Sequence, residues 1–178
     1  DADAQQWLRW AIPLPKEVAI TRQVTLSAET VKLTVRDNAS ELERNALRQL
    51  RDLFRKESGV DGGSAAPAFA LVLGGPDARG QVGGVDVPDG ARLIELPNRE
   101  QAYLIRPVGD RRLVLAALDE RGVFYAALTL RQLLEPKFSG ETVTLPLATV
   151  TDWPDLAERG EWGSLTRTSA HTRPDDIE

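Results

Sequence analysis

The chain has 178 residues, a net charge of −5, and neither cysteine nor methionine. The missing cysteine removes disulfides, thiol nucleophiles and thiolate metal sites together, and the acidic balance, with no basic stripe on any predicted face, argues against nucleic acid as a partner. No apolar run approaches a membrane span, so the composition leaves one ordinary globular domain with a little to spare.

The elements follow in chain order. Residues 1–17 hold Trp7, Trp10, Pro13 and Pro15, and prolines two apart favour an extended lead-in over a helix. Residues 18–26 read as a weak strand. Val31, Lys32, Leu33, Thr34 and Val35 alternate as a half-buried strand does. Ser40 with Glu43 three residues on forms a capping box, and Leu42, Ala46, Leu47, Leu50, Leu53 and Phe54 then make one apolar helical stripe that Gly59 stops. After a flexible 61–67 connection, the AFALVL run at 68–73 is apolar on both faces and predicts an interior strand. Residues 74–90 are rich in turn formers and read as a long irregular loop, followed by a short strand near Arg92–Leu96.

A hairpin comes next. Tyr103 to Val108 and Leu113 to Leu115 flank a Gly109-Asp110 turn. Asp119 caps a second helix starting near Gly122 and running to Leu134. Val123, Phe124, Ala127, Leu128 and Leu134 make one face of it, and Tyr125, Ala126, Leu130 and Leu133 extend the apolar surface well beyond that face. A helix apolar on most of its circumference is covered on more than one side. The reading assigns one cover to the domain's own sheet and the other to a second domain. Residues 141–150 are extended. Pro174 with acids behind it looks like the first turn of a helix at the very end of the chain. That ending, and a beginning at Asp1 without a charged-then-apolar leader, predict either a removed leader or a piece cut from a longer protein.

Convincing catalytic, cofactor or metal sites are not found. His171 is the only histidine and no His-Glu-x-x-His pattern exists. Gly74-Gly75 follows an apolar strand, but the lysine and hydroxyl of a phosphate loop are missing. Glycoside hydrolysis needs two carboxyl groups at a set separation. The nearest local pairs, Asp152 with Asp155 and Glu158 with Glu161, sit beside a linker rather than in a pocket. Asn38-Ala39-Ser40 matches a glycosylation acceptor, relevant only on a eukaryotic secretory route. The four tryptophans could stack on sugar, but packing explains such residues more often. Trp153 and Trp162 flank Arg159 and predict a packing or cation–π cluster at a domain junction.

Three segments taken in order carry a resemblance. They are Leu14-Pro15-Lys16-Glu17 before the first strands, Asp119-Glu120-Arg121-Gly122-Val123-Phe124-Tyr125 running into Thr129-Leu130-Arg131-Gln132-Leu133-Leu134, and Asp152-Trp153-Pro154-Asp155 followed by Arg159-Gly160. Residues from about Ile12 to Gly160 resemble the small non-catalytic domain that precedes the catalytic barrel in family 20 β-N-acetylhexosaminidases (domain 2) and in related α-glucuronidase and O-GlcNAcase-like enzymes. The resemblance implies an α+β fold, a mixed sheet with two main helices packed on one face. It implies an accessory domain at 18–150, and at 151–178 a linker and the truncated start of a (β/α)8 barrel whose catalytic carboxylates lie beyond Glu178. At Glu161-Trp162-Gly163-Ser164 the chain departs from the hexosaminidases, which continue with an aliphatic strand and an arginine-histidine pair. The resemblance therefore implies the type of domain rather than hexosaminidase activity.

The expected function is a non-catalytic accessory domain of a secreted glycoside hydrolase, extracellular or periplasmic, needing no cofactor. Its partner is the barrel of the same polypeptide. Tyr125, Leu130, Leu133, Asp152, Trp153, Arg159 and Trp162 are the docking candidates. The alternative is a carbohydrate-binding module holding glycans on exposed tryptophans. Neither nucleic acid nor membrane is expected as a partner.

Overall fold

The computed structural model describes residues 7–156. The strands are β1 (Glu17–Ser27), β2 (Val31–Val35), β3 (Phe69–Gly74), β4 (Gln81–Val82), β5 (Val85–Asp86), β6 (Tyr103–Pro107), β7 (Arg112–Ala116), β8 (Phe138–Ser139) and β9 (Thr142–Asp152). The helices are α1 (Glu41–Ser58), the single turn α2 (Arg92–Glu95) and α3 (Glu120–Leu134). One mixed sheet runs in the order β1-β9-β6-β7-β3-β2, with β8 pairing the start of β9. The pairs β2/β3 and β3/β7 are parallel and the others antiparallel. The fold is α+β, as expected.

The helix ends form where the sequence puts them. The Ser40 hydroxyl accepts from the Glu43 amide at 3.2 Å, and Glu43 Oε2 accepts from the Ser40 amide at 2.8 Å, which satisfies two otherwise orphaned donors. Gly59 closes α1 at φ 76°, a left-handed conformation that glycine adopts without penalty. Glu43 also locks the layers together. It is buried, and its Oε1 accepts from the Gly75 amide at 3.1 Å and lies 2.9 Å from Arg36 Nε, so the start of α1 is tied to the ends of β2 and β3.

Both faces of the sheet are covered. On one, Phe69, Leu71 and Leu73 of β3, Leu113 and Leu115 of β7, and Ile105 of β6 meet α1 and α3. On the other, Val72, Leu104, Val114 and Ala116 meet Val82, Val85, Leu93 and Leu96. This second cover is the 74–96 stretch. It is more than the expected irregular loop. β4 and β5 form a tight hairpin over Gly83-Gly84, both at positive φ, and its two valines plug the sheet. The expected strand near Arg92–Leu96 is instead the helical turn α2. Asp89 takes φ 57°, and the Asp89 and Gly90 carbonyls accept from the Arg92 and Leu93 amides, so the chain coils before it can extend. The Arg92 guanidinium then grips both carboxylate oxygens of Glu17 at 2.6 and 2.5 Å and fastens this cover to β1.

Within the described residues α1 supplies a second cover of α3. The two helices pack side by side, α3 over β3, β6, β7 and β9 and α1 over β2 and β3. Gly122 lets α3 close on the sheet, since a Cβ there would stand 2.5 Å from the Ala102 carbonyl oxygen and 2.6 Å from the Ala117 Cβ. Leu130 and Leu133, expected on a docking face, are buried in this core and present no surface.

Candidate functional site

The outward flank of α3 borders a groove of about 350 Å³. Its walls come from three stretches far apart in sequence: the lead-in at Ile12, Pro13, Leu14 and Lys16, the helix at Tyr125, Leu128, Thr129 and Gln132, and the exit of β9 at Asp152 to Asp155. Residues 7–10 turn helically before the chain extends. Trp7 is buried beneath the Lys137 ammonium at 4.2 Å, which anchors the lead-in at its start. The Gln132 side-chain amide anchors its middle. Oε1 accepts from the Ile12 amide and Nε2 donates to the Ile12 carbonyl, both at 3.0 Å, an imitation of a backbone pair. At its end the Lys16 amide donates to Asp152 Oδ1 at 3.1 Å.

The floor is polar, and its groups bond to one another. The Tyr103 phenol donates to Asp152 Oδ2 at 3.1 Å and therefore accepts from the Thr129 hydroxyl at 2.6 Å. Burial pushes the phenol's pKa well above its ordinary value, and the Asp152 charge adds to the rise. Asp155 is bonded by the Lys16 ammonium, which also lies 5.9 Å from the centre of the Trp153 ring. Asp152 is held by two neutral donors and has no ion pair among the described residues. A carboxylate with both oxygens engaged as acceptors is suited to holding geometry rather than to moving protons.

The rim is apolar. Ile12 is 76% and Leu14 58% exposed, and Tyr125 and Leu156 also stand out of the surface. The outer face of α1, by contrast, is charged, with Arg44, Arg48, Asp52, Arg55 and Lys56 in contact with solvent. Of the sequence candidates, the structure brings Tyr125, Asp152 and Trp153 together at the groove. Arg159 and Trp162 lie outside the described residues, as do His171, Glu158 and Glu161. Sequence reasoning missed Ile12, Leu14, Leu128 and Gln132. Leu128 shares a predicted face with Val123 and Ala127, which are buried, but lies half-exposed in the groove wall. The tryptophans form no shared platform among the described residues. Trp7 is buried, Arg9 lies 5.4 Å from the centre of the Trp10 ring, and Trp153 packs partly on the second core. The described residues contain no group of three or more acidic or histidine side chains placed to hold a metal.

The model of glycosyl hydrolase family 20, domain 2 matches residues 11–153. The chain belongs to this family. Solved structures of similar fold include the GH20 β-N-acetylhexosaminidase of Streptomyces coelicolor A3(2), with a TM-score of 0.57 and 21% identity over 85% of this chain and 27% of that one. The GH20 exo-β-N-acetylglucosaminidase of Vibrio harveyi, with N-acetylglucosamine bound, gives 0.57 and 17% over 83% and 19%. The N-acetyl-β-hexosaminidase of Streptomyces plicatus gives 0.51 and 23% over 83% and 26%. The chain thus spans between a fifth and somewhat over a quarter of these enzymes' lengths, as a domain found within glycoside hydrolases. No curated protein sequence matches it.

Proposed function

We propose that this family 20 domain 2 is a non-catalytic accessory domain that docks, through the groove and its apolar rim, on the (β/α)8 catalytic barrel of the same polypeptide. One observation carries the reading. The exposed apolar side chains Ile12, Leu14, Tyr125 and Leu156 gather where β9 delivers the chain toward its next segment, while the outer face of α1 is charged. Trp10, Ile94 and Leu118 are exposed as well but do not line the groove, and a cluster of exposed apolar side chains is the mark of an interaction site. The parent is read as a glycoside hydrolase whose acid and nucleophile or base come from the barrel. The glycan-binding alternative draws no support from the described tryptophans, Trp7, Trp10 and Trp153, which are dispersed and partly buried.

A paired measurement tests docking. Leu128→Glu is expected to leave the thermal midpoint of the 178-residue chain within about 1–2 °C, since it changes a half-exposed wall position. In the protein encoded by the complete reading frame the same change is expected to lower the midpoint and speed proteolytic separation of the domain. Equal behaviour in both contexts would remove the docking reading.

A further inference from the structure

We infer that the groove receives a basic side chain, an arginine flanked by apolar residues, presented by the docking partner. The inference rests on the docking reading and specifies its chemistry. Among the described residues the groove places two carboxylates, Asp152 and Asp155, beside one ammonium, that of Lys16. Lys16 turns its ammonium to Asp155 and gives Asp152 only its backbone amide. The remaining donor to Asp152 is the neutral Tyr103 phenol, and burial keeps that phenol protonated. The Asp152 charge is therefore held in place without being neutralised.

Its setting limits what can neutralise it. Ile12 and Leu14 stand on one side and Tyr125 and Leu128 on the other, so a group that reaches the floor must pass between apolar walls. A bare hydrated ion gains nothing from the apolar walls. An arginine places its methylene stem along the walls and its guanidinium at the carboxylate, and an aromatic face such as Tyr125 adds stacking. Gln132 cannot take this part, because both ends of its amide are engaged by Ile12. Charge complementarity and apolar walls thus select the same occupant.

The test uses two peptides on the 178-residue chain: acetyl-Leu-Arg-Leu-amide and its citrulline counterpart, equal in shape but uncharged. The Gln132 side-chain amide and the Lys16 backbone amide report on the groove by NMR. The arginine peptide is expected to bind about threefold more tightly, as a partly exposed ion pair allows, with the advantage shrinking at high salt. In Asp152→Asn the two peptides are expected to bind alike. Equal binding of both to the unaltered chain, or no shift by either, overturns the basic occupant. So does an arginine preference that survives Asp152→Asn. Failure of this inference is distinguishable from failure of docking, because Leu128→Glu in the complete protein reads docking whatever its charge chemistry.

Discussion

Tyr103 shows how one side chain can join three elements. Its ring fills the helix-side core while its hydroxyl connects Asp152 at the end of β9 to Thr129 of α3. The raised pKa has a definite consequence for stability. An acid whose folded pKa lies above its unfolded value, about 10 for tyrosine, gives its full stabilisation below that value and loses it as pH rises beyond. The chain is expected to lose stability above about pH 10 faster than a Tyr103→Phe variant, measured by urea unfolding across pH 8–11. Parallel pH profiles for the two proteins would show that the phenol is not held protonated by the fold.

At the scale of elements, the sequence spoke most clearly where local chemistry decides. Ser40, Glu43 and Gly59 bracket α1, and Asp119 starts α3 by accepting from the Arg121 amide at 2.9 Å. It spoke less clearly where packing decides. The full apolarity of β3 said that both faces are covered, but not that Val82, Val85, Leu93 and Leu96 supply the second cover, because those residues sit among glycines and prolines without a period. The breadth of apolar residues on α3 predicts cover on two sides, by the sheet and by a second domain. Much of that breadth faces α1, since a helix beside a helix and above a sheet needs two apolar sides. The groove was hardest to foresee. Gln132 and Ile12 are 120 residues apart, and no local pattern announces their pairing. The close seat of α3 yields a prediction of its own. Gly122→Ala forces a methyl group into the Ala102 carbonyl and the Ala117 side chain and is expected to cost about 1–3 kcal/mol by chemical denaturation. A variant as stable as the original would mean that α3 can lift from β6 and β7 without loss.

For the whole molecule, the absence of an engaged acid–base pair in the described groove matters more than its size. Asp152 and Asp155 are committed to Lys16 and Tyr103, so neither is poised to protonate a leaving group. The 178-residue chain is expected to release no chromophore from aryl N-acetyl-β-glucosaminide or aryl glucuronide substrates. Turnover by rigorously purified material, abolished by a point mutation within the chain, would overturn the non-catalytic reading.

Among the described strands β1 forms one edge of the sheet, and its irregularity has a consequence of its own. Along β9, Ile20 pairs with Ala148 but Gln23 with Pro146, so Thr21 and Arg22 together stand opposite Leu147 and the strand buckles there. Arg22 reaches across to Asp110 and sets an ion pair beside the kink. A sibling molecule trying to extend this sheet along β1 would meet a strand buckled midway, a feature that disfavours edge-to-edge pairing.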